Sequence, residues 1–160
     1  MAAFLAIAFG AASLAGAFAS QYFLGLEPCA FCIYQRWPHA VAALFGIFSM
    51  LSARNRFFPC FLGFSGVIYL IGAGIAAYHV GVEQGVFELS AACENAVNAD
   101  GLTFEQMTEA VMAASNARCD IPALTFAGLS MAAWNCMFSF FAGTLLVVRA
   151  LLDRRAGGKN

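Results

Sequence analysis

Charge is what this chain has least of. Only 11% of its 160 residues are charged, against about 25% in ordinary soluble domains. So few charges cannot clothe a water-facing surface around a sequence that is 62% hydrophobic, with a mean hydropathy of +0.78. The bilayer must therefore be part of the solvent. A second absence concerns the first apolar run. "AFAS", ending at Ser20, has the form of a signal-peptidase site, yet no Lys or Arg precedes it. The positive n-region of a secretory signal is missing, and the apolar run continues to Leu24, so the segment is expected to stay as a membrane span. The net charge of −1 says little by itself, and no nucleic-acid partner is expected.

What is present is four long apolar runs, over residues 2–24, 37–53, 57–78 and 121–148, all free of charged side chains. A span needs about 20 apolar residues at about 1.5 Å rise each. The second run is short and borrows a turn from Ile33 to Arg36. Only helices and closed barrels satisfy their backbone inside lipid, and these runs are too long and too evenly apolar for barrel strands. The expected fold is an all-α membrane protein. It is one integral domain over 1–160, a four-helix transmembrane bundle with two outer loops over 25–36 and 79–120.

The distribution of charge orients the bundle. Arg54, Arg56, Arg149, Arg154, Arg155 and Lys159 are six of the eight basic residues, and all fall on one side. The positive-inside rule puts that side, and both termini, in the cytoplasm. The long outer loop carries Glu83, Glu88, Glu94, Asp100, Glu105, Glu109 and Asp120 against Arg118 alone. Within it, Thr103 and Gln106 fit a capping box. Phe104, Met107, Val111 and Met112 share one helical face, so a short amphipathic helix is expected there, lying on the membrane or packed on protein.

This orientation sorts the cysteines. Cys29, Cys32, Cys93 and Cys119 lie outside, where disulfides persist, as one pair per loop. Cys60 and Cys136 fall in spans and read as small packing residues. In "EPCAFCIYQRWPHA", Pro28 suits the first position of a helix. Cys29 and Cys32 then sit in a first turn, where the helix terminus favours a thiolate. Arg36 follows Cys32 by four residues, on the same face. Its charge either favours a Cys32 thiolate or anchors the helix by reaching to the headgroups.

"PCAFCIYQR", the four spans, and the wide Cys93/Cys119 pair together resemble the DsbB family of membrane disulfide-forming proteins. "FAGLSMAAWN" is similar to bacterial members as well, and His79 occupies the position of a family histidine near the quinone. The resemblance implies a protein-dithiol:quinone oxidoreductase of the bacterial inner membrane. Its partner would be a periplasmic DsbA-like thioredoxin-fold oxidase, whose dithiol attacks Cys93. Cys119 would then exchange with Cys29, leaving Cys32 as a thiolate. Catalytic roles fall to Cys29, Cys32, Cys93, Cys119 and Arg36, and contact with ubiquinone or menaquinone falls to Cys32, Arg36 and His79. A strong oxidant near about −120 mV cannot be recharged by an ordinary structural disulfide below about −300 mV. A lipid-soluble oxidant reaching a Cys-x-x-Cys at the lipid edge resolves that difficulty.

Three other readings compete. Structural zinc would use close-spaced ligand pairs, whereas Cys93 and Cys119 are far apart, and no metal is expected. A vitamin K epoxide reductase-like or thiol-conducting reductase would carry its Cys-x-x-Cys on a late helix or its redox cysteines within spans. A scaffold protein with structural disulfides leaves Arg36 and the lipid-edge motif unexplained.

Overall fold

A computed structural model describes residues 1–53, 55–88, 93, 103, 105 and 118–157. Its elements are α1 (Ala2–Phe23), α2 (Ala30–Leu51), α3 (Phe58–Glu83), a hairpin of β1 (Thr125–Phe126) and β2 (Leu129–Ser130), and α4 (Met131–Gly157). Among the described residues the chain is therefore helical, with four long helices. Three of them, α1, α3 and α4, are long and apolar enough to cross a membrane. α2 is long enough but not apolar enough, because Gln35, Arg36 and His39 crowd its first half. The amphipathic helix expected around Phe104–Met112 lies outside the described residues, apart from Glu105.

Helix packing here relies on small residues, as it must where lipid removes the hydrophobic drive for helices to associate. α3 and α4 meet at Gly66 and Gly143. A Cβ on Gly66 would come within 2.9 Å of the Gly143 carbonyl oxygen. α1 meets α2 at Gly10, where a Cβ would lie 2.7 Å from the His39 carbonyl oxygen. Buried hydroxyls then pin helix to helix. Tyr69 on α3 donates to the Ala6 carbonyl of α1 at 2.6 Å, and Ser65 on α3 donates to the Ala42 carbonyl of α2 at 2.8 Å. Around them lies a core of Ala3, Ala6, Ala42, Leu62, Tyr69 and Leu146.

Two element boundaries differ from the sequence reading, and each has a local cause. α2 begins at Ala30 with Cys29 as its N-cap, so Pro28 precedes the cap instead of opening the helix. The apolar run 121–148 is divided: its first ten residues make an extended approach and the hairpin, and α4 starts at Met131. The turn at Ala127 and Gly128 has positive φ at both positions, 51° and 81°, as a two-residue type I′ turn requires. Trp134 Nε1 donates to the Phe126 carbonyl at 3.0 Å, latching the hairpin onto α4. The Ser130 hydroxyl oxygen accepts from the Ala133 N–H at 3.1 Å, an N-cap contact for α4.

Candidate active site

The start of α2 and the end of α3 converge on the Cys-x-x-Cys motif. Because Cys29 is the N-cap, its sulfur faces the unsatisfied amides of the first turn. It accepts from the Cys32 N–H at 3.3 Å. The two sulfurs lie 3.0 Å apart. From α3, His79 Nε2 stands 3.6 Å from the Cys29 sulfur and 3.9 Å from a Glu83 carboxylate oxygen. Contact with the Cys32 sulfur pulls the Cys29 thiol down to about 4. Burial pushes the other way, and His79 and the Cys32 amide add to the lowering. These contacts favour the anion at Cys29; the sequence reading places the thiolate at Cys32, beside Arg36.

Cys93 and Cys119 form a disulfide. It belongs to the same buried cluster as Cys29, Phe31 and Val82, with Ala30 and Cys32 packed against it. The two cysteine pairs, 64 positions apart from first to first in the sequence, thus share one packed neighbourhood at the end of the bundle where α2 begins and α3 ends. Beside Cys119, Arg118 and Asp120 form an exposed ion pair, with Nε donating to the carboxylate at 2.9 Å. The Arg118 guanidinium holds the Asp120 carboxyl below its usual range. Cys60 and Cys136 are half-buried on α3 and α4 and take no part in this cluster.

Arg36 shares a cavity wall with Cys32 but is fastened to α1. Its guanidinium donates to Gln21 Oε1 at 2.7 Å and lies over the Phe18 ring at 4.9 Å. The cavity, of about 260 Å³, is bordered by Phe9, Leu14, Met131 and Phe138, with Cys32, Arg36, His39, His79 and Asn135 converging on it. An apolar chamber with a few convergent polar groups suits a flat apolar ring that carries polar oxygens. The structure therefore brings together Cys29, Cys32, His79 and the Cys93–Cys119 disulfide, and sets Arg36 on the adjoining cavity.

Sequence reasoning passed over Gln35, Asn135 and Glu83. Gln35 is buried and lies 2.8 Å from His79 Nδ1. Asn135 donates to Gln35 Oε1 at 2.6 Å. Glu83 accepts from the Ser130 hydroxyl, tying the end of α3 to the start of α4. For Asn135 the available signal was polarity inside an apolar run, which is costly unless it has a role; Gln35 and Glu83 fall in the two loops of the sequence reading and carried no such signal. As for metals, the ligand atoms of Cys29, Cys32 and His79 lie within 4.8 Å of one another, a spacing open to a thiophilic cation. The four-cysteine zinc site would need two more thiolates, and Cys93 and Cys119 are bound to each other.

Comparison with known proteins now bears on this arrangement. Residues 1–149 match the family described as disulfide bond formation protein DsbB. Disulfide bond formation protein B of Cupriavidus pinatubonensis is 32% identical over 152 residues, 91% of this chain and 89% of that one. Its counterpart in Xylella fastidiosa is 35% identical over 140 residues, 83% of this chain and 78% of that one. Uncharacterized protein RP370 of Rickettsia prowazekii is 22% identical over 139 residues, 84% of this chain and 80% of that one. No solved structure matches the chain. With the family match covering α1, α2, α3, most of α4 and both cysteine pairs, this chain is a multi-pass membrane protein that belongs to the DsbB family of disulfide bond formation proteins.

Proposed function

We propose that the protein reoxidises a periplasmic DsbA-like thioredoxin-fold oxidase and passes the electrons to a membrane quinone, ubiquinone or menaquinone. The observation that carries this reading is the shared cluster, in which the Cys93–Cys119 disulfide packs against Cys29. The partner's dithiol attacks Cys93, releasing Cys119. Cys119 attacks Cys29 of a Cys29–Cys32 disulfide, and Cys32 leaves as a thiolate. The partner's second thiolate attacks its own sulfur in the mixed disulfide, which frees the partner as a disulfide and Cys93 as a thiolate. Cys93 then attacks Cys119, restoring their disulfide and expelling Cys29. Cys32 meanwhile takes up the proton that the partner's second thiol gives up, and as a thiol it donates to the Cys29 sulfur; that contact, which lowers Cys29 to about 4, makes Cys29 a good leaving group for the last step.

The resulting Cys29/Cys32 dithiol holds two electrons. A bound quinone supplies the oxidising power that an ordinary disulfide lacks. Cys32, Arg36 and His79 line the cavity that would hold it, and the apolar wall keeps water from the anions that Arg36 would favour. In this reading α2 is the second of four spans, the cysteine pairs face the periplasm, and the protein sits in the bacterial inner membrane with both termini in the cytoplasm.

The test mixes purified protein, a reduced thioredoxin-like oxidase and a short-tailed quinone, and follows quinone reduction. Cys119→Ser should trap a mixed disulfide between the partner and Cys93, whereas Cys93→Ser should trap none and should stop turnover. The reverse pattern on a non-reducing gel would exchange the two roles. Absence of partner-dependent quinone reduction by the unmodified protein would end the proposal.

A further inference from the structure

Deeper in the same cavity a ring nitrogen has been left over. His39, on α2 one turn beyond Arg36, is 5% exposed. Its Nε2 lies 2.8 Å from Asn135 Oδ1. Its Nδ1 is buried and has no hydrogen-bond partner among the described residues. The ring is framed by Phe9 at 5.5 Å and Tyr69 at 5.7 Å between centroids. Tyr69 is itself pinned to Ala6, so His39 has little freedom to turn toward another partner. Buried polar groups without partners are rare in folded proteins and call for a reason.

The surrounding bonds fix the chemistry of that nitrogen. Asn135 Oδ1 accepts from the Ser139 hydroxyl at 3.0 Å, and Asn135 Nδ2 donates to Gln35 Oε1. The orientation of both amides follows from this network. Asn135 Oδ1 then accepts from His39 Nε2–H, which leaves Nδ1 of a neutral His39 as a bare lone pair. The same sense makes Gln35 Nε2 donate to His79 Nδ1, so that His79 Nε2–H points to the Cys29 sulfur. One polar chain across α2, α3 and α4 sets the tautomer of both imidazoles.

Proton counting then gives His39 a task. A dithiol made of a Cys29 thiolate and a Cys32 thiol carries two electrons but one proton, and a quinol needs two of each. We propose that His39 Nδ1 is the inner polar contact for the quinone ring and holds the second proton, donating it to a ring oxygen as the Cys29–Cys32 disulfide forms. The balance is one thiolate, one thiol, one imidazolium and one quinone giving one disulfide, one quinol and one neutral imidazole. His39 regains its proton from water between turnovers. Neutral Nδ1 meanwhile accepts from the quinol hydroxyl it has just made. The titratable groups around His39 are Arg36 and Cys32 on its own helix, Tyr69 and His79 on α3, and Glu27 at the cavity edge. α1 presents Phe9, and α4 presents Asn135 and Ser139.

This inference rests on the quinone reading above, and its test separates the two. The chain has two histidines, so protein labelled with ¹⁵N-histidine in lipid nanodiscs shows two rings, assigned with His39→Gln. Adding decylubiquinol should move the Nδ1 resonance of His39. His39→Gln should keep a near-normal KM for decylubiquinone but lose at least about tenfold in kcat, since an amide can hydrogen-bond but cannot hold the proton. His39→Phe should also raise KM. Mixed-disulfide formation with the partner should be unchanged in both. If decylubiquinone supports turnover of the unmodified protein while the His39 resonances stay still or both variants keep full activity, the His39 proposal alone is overturned. If the unmodified protein reduces no quinone, both proposals fall.

Discussion

Cys29 gathers three influences on one sulfur: the Cys32 thiol, the Cys32 amide and the His79 ring. The thiolate absorbance of the reduced pair, in a Cys60→Ala/Cys136→Ala background, should accordingly titrate near pH 4. Cys32→Ala should raise that midpoint more than His79→Ala, because the Cys32 contact is the larger cause. Stability follows the same proton. A thiol whose value falls on folding, here from 9.0 to about 4, stabilises the reduced protein fully above pH 9. That contribution is lost as pH falls through the folded value. Tm of the reduced protein should decline from pH 9 toward pH 4 more steeply than Tm of Cys29→Ala. Arg36 offers a second residue-scale test. Arg36→Ala should raise the KM for quinone about tenfold, equivalent to about 1.4 kcal/mol, and leave partner exchange near normal. Arg36→Lys should fall between, since Lys keeps the charge and loses the planar fork. A defect confined to membrane insertion would instead favour the anchor role, which its bonds to Gln21 and Ala17 on α1 also suit. The motif residues were legible in the sequence because Cys-x-x-Cys with an arginine one turn on is a local pattern. Gln35, His39 and Asn135 were not, because their meaning lies in bonds that join three helices.

At the scale of elements, apolarity announced the helices but hid where they begin. Residues 121–130 are as apolar as a span, and only Gly128 hinted at the hairpin there. The positive φ of Ala127 could not be anticipated, since L-residues avoid that region. α2 was equally deceptive. Its polar first half shortened the run seen in the sequence, although the helix begins at Ala30. Glycines show the same dependence on context. Gly66 meets Gly143 backbone, whereas Gly74 has nothing within 4 Å of an added Cβ. Gly66→Val should destabilise the α3–α4 pair by about 1–3 kcal/mol through overpacking. Gly74→Ala should be neutral or stabilising by up to about 1 kcal/mol, from helix propensity alone. Unfolding in mixed micelles measures both, and equal effects would dismiss the close-approach argument.

For the molecule as a whole, orientation was read from eight basic residues, six of them on one side. Reporter fusions after Arg56 and after Lys159 should both behave as cytoplasmic. A periplasmic signal from either would overturn the proposed four-span topology, and with it the placement of both cysteine pairs on the same side as the proposed partner. The end of the bundle that holds the cysteines is also where its polar residues collect. Glu83, Ser130, His79, Gln35 and Asn135 join the ends of α2, α3 and α4 into one bonded rim. That rim makes the site a property of the assembled bundle and of no single helix.

The N-cap of α2 carries one more consequence. In the proposed relay, the sulfur that caps the helix is also the sulfur that turns over. A cap contact of this kind is worth about 1 kcal/mol, and it draws on the negative charge of Cys29. When that sulfur enters a disulfide the charge is gone and the seal on the first turn slackens. When the dithiol returns, the turn tightens again. If Cys29 turns over as proposed, the cap on α2 is weakest while Cys29 is in a disulfide and firmest in the dithiol that holds the electrons.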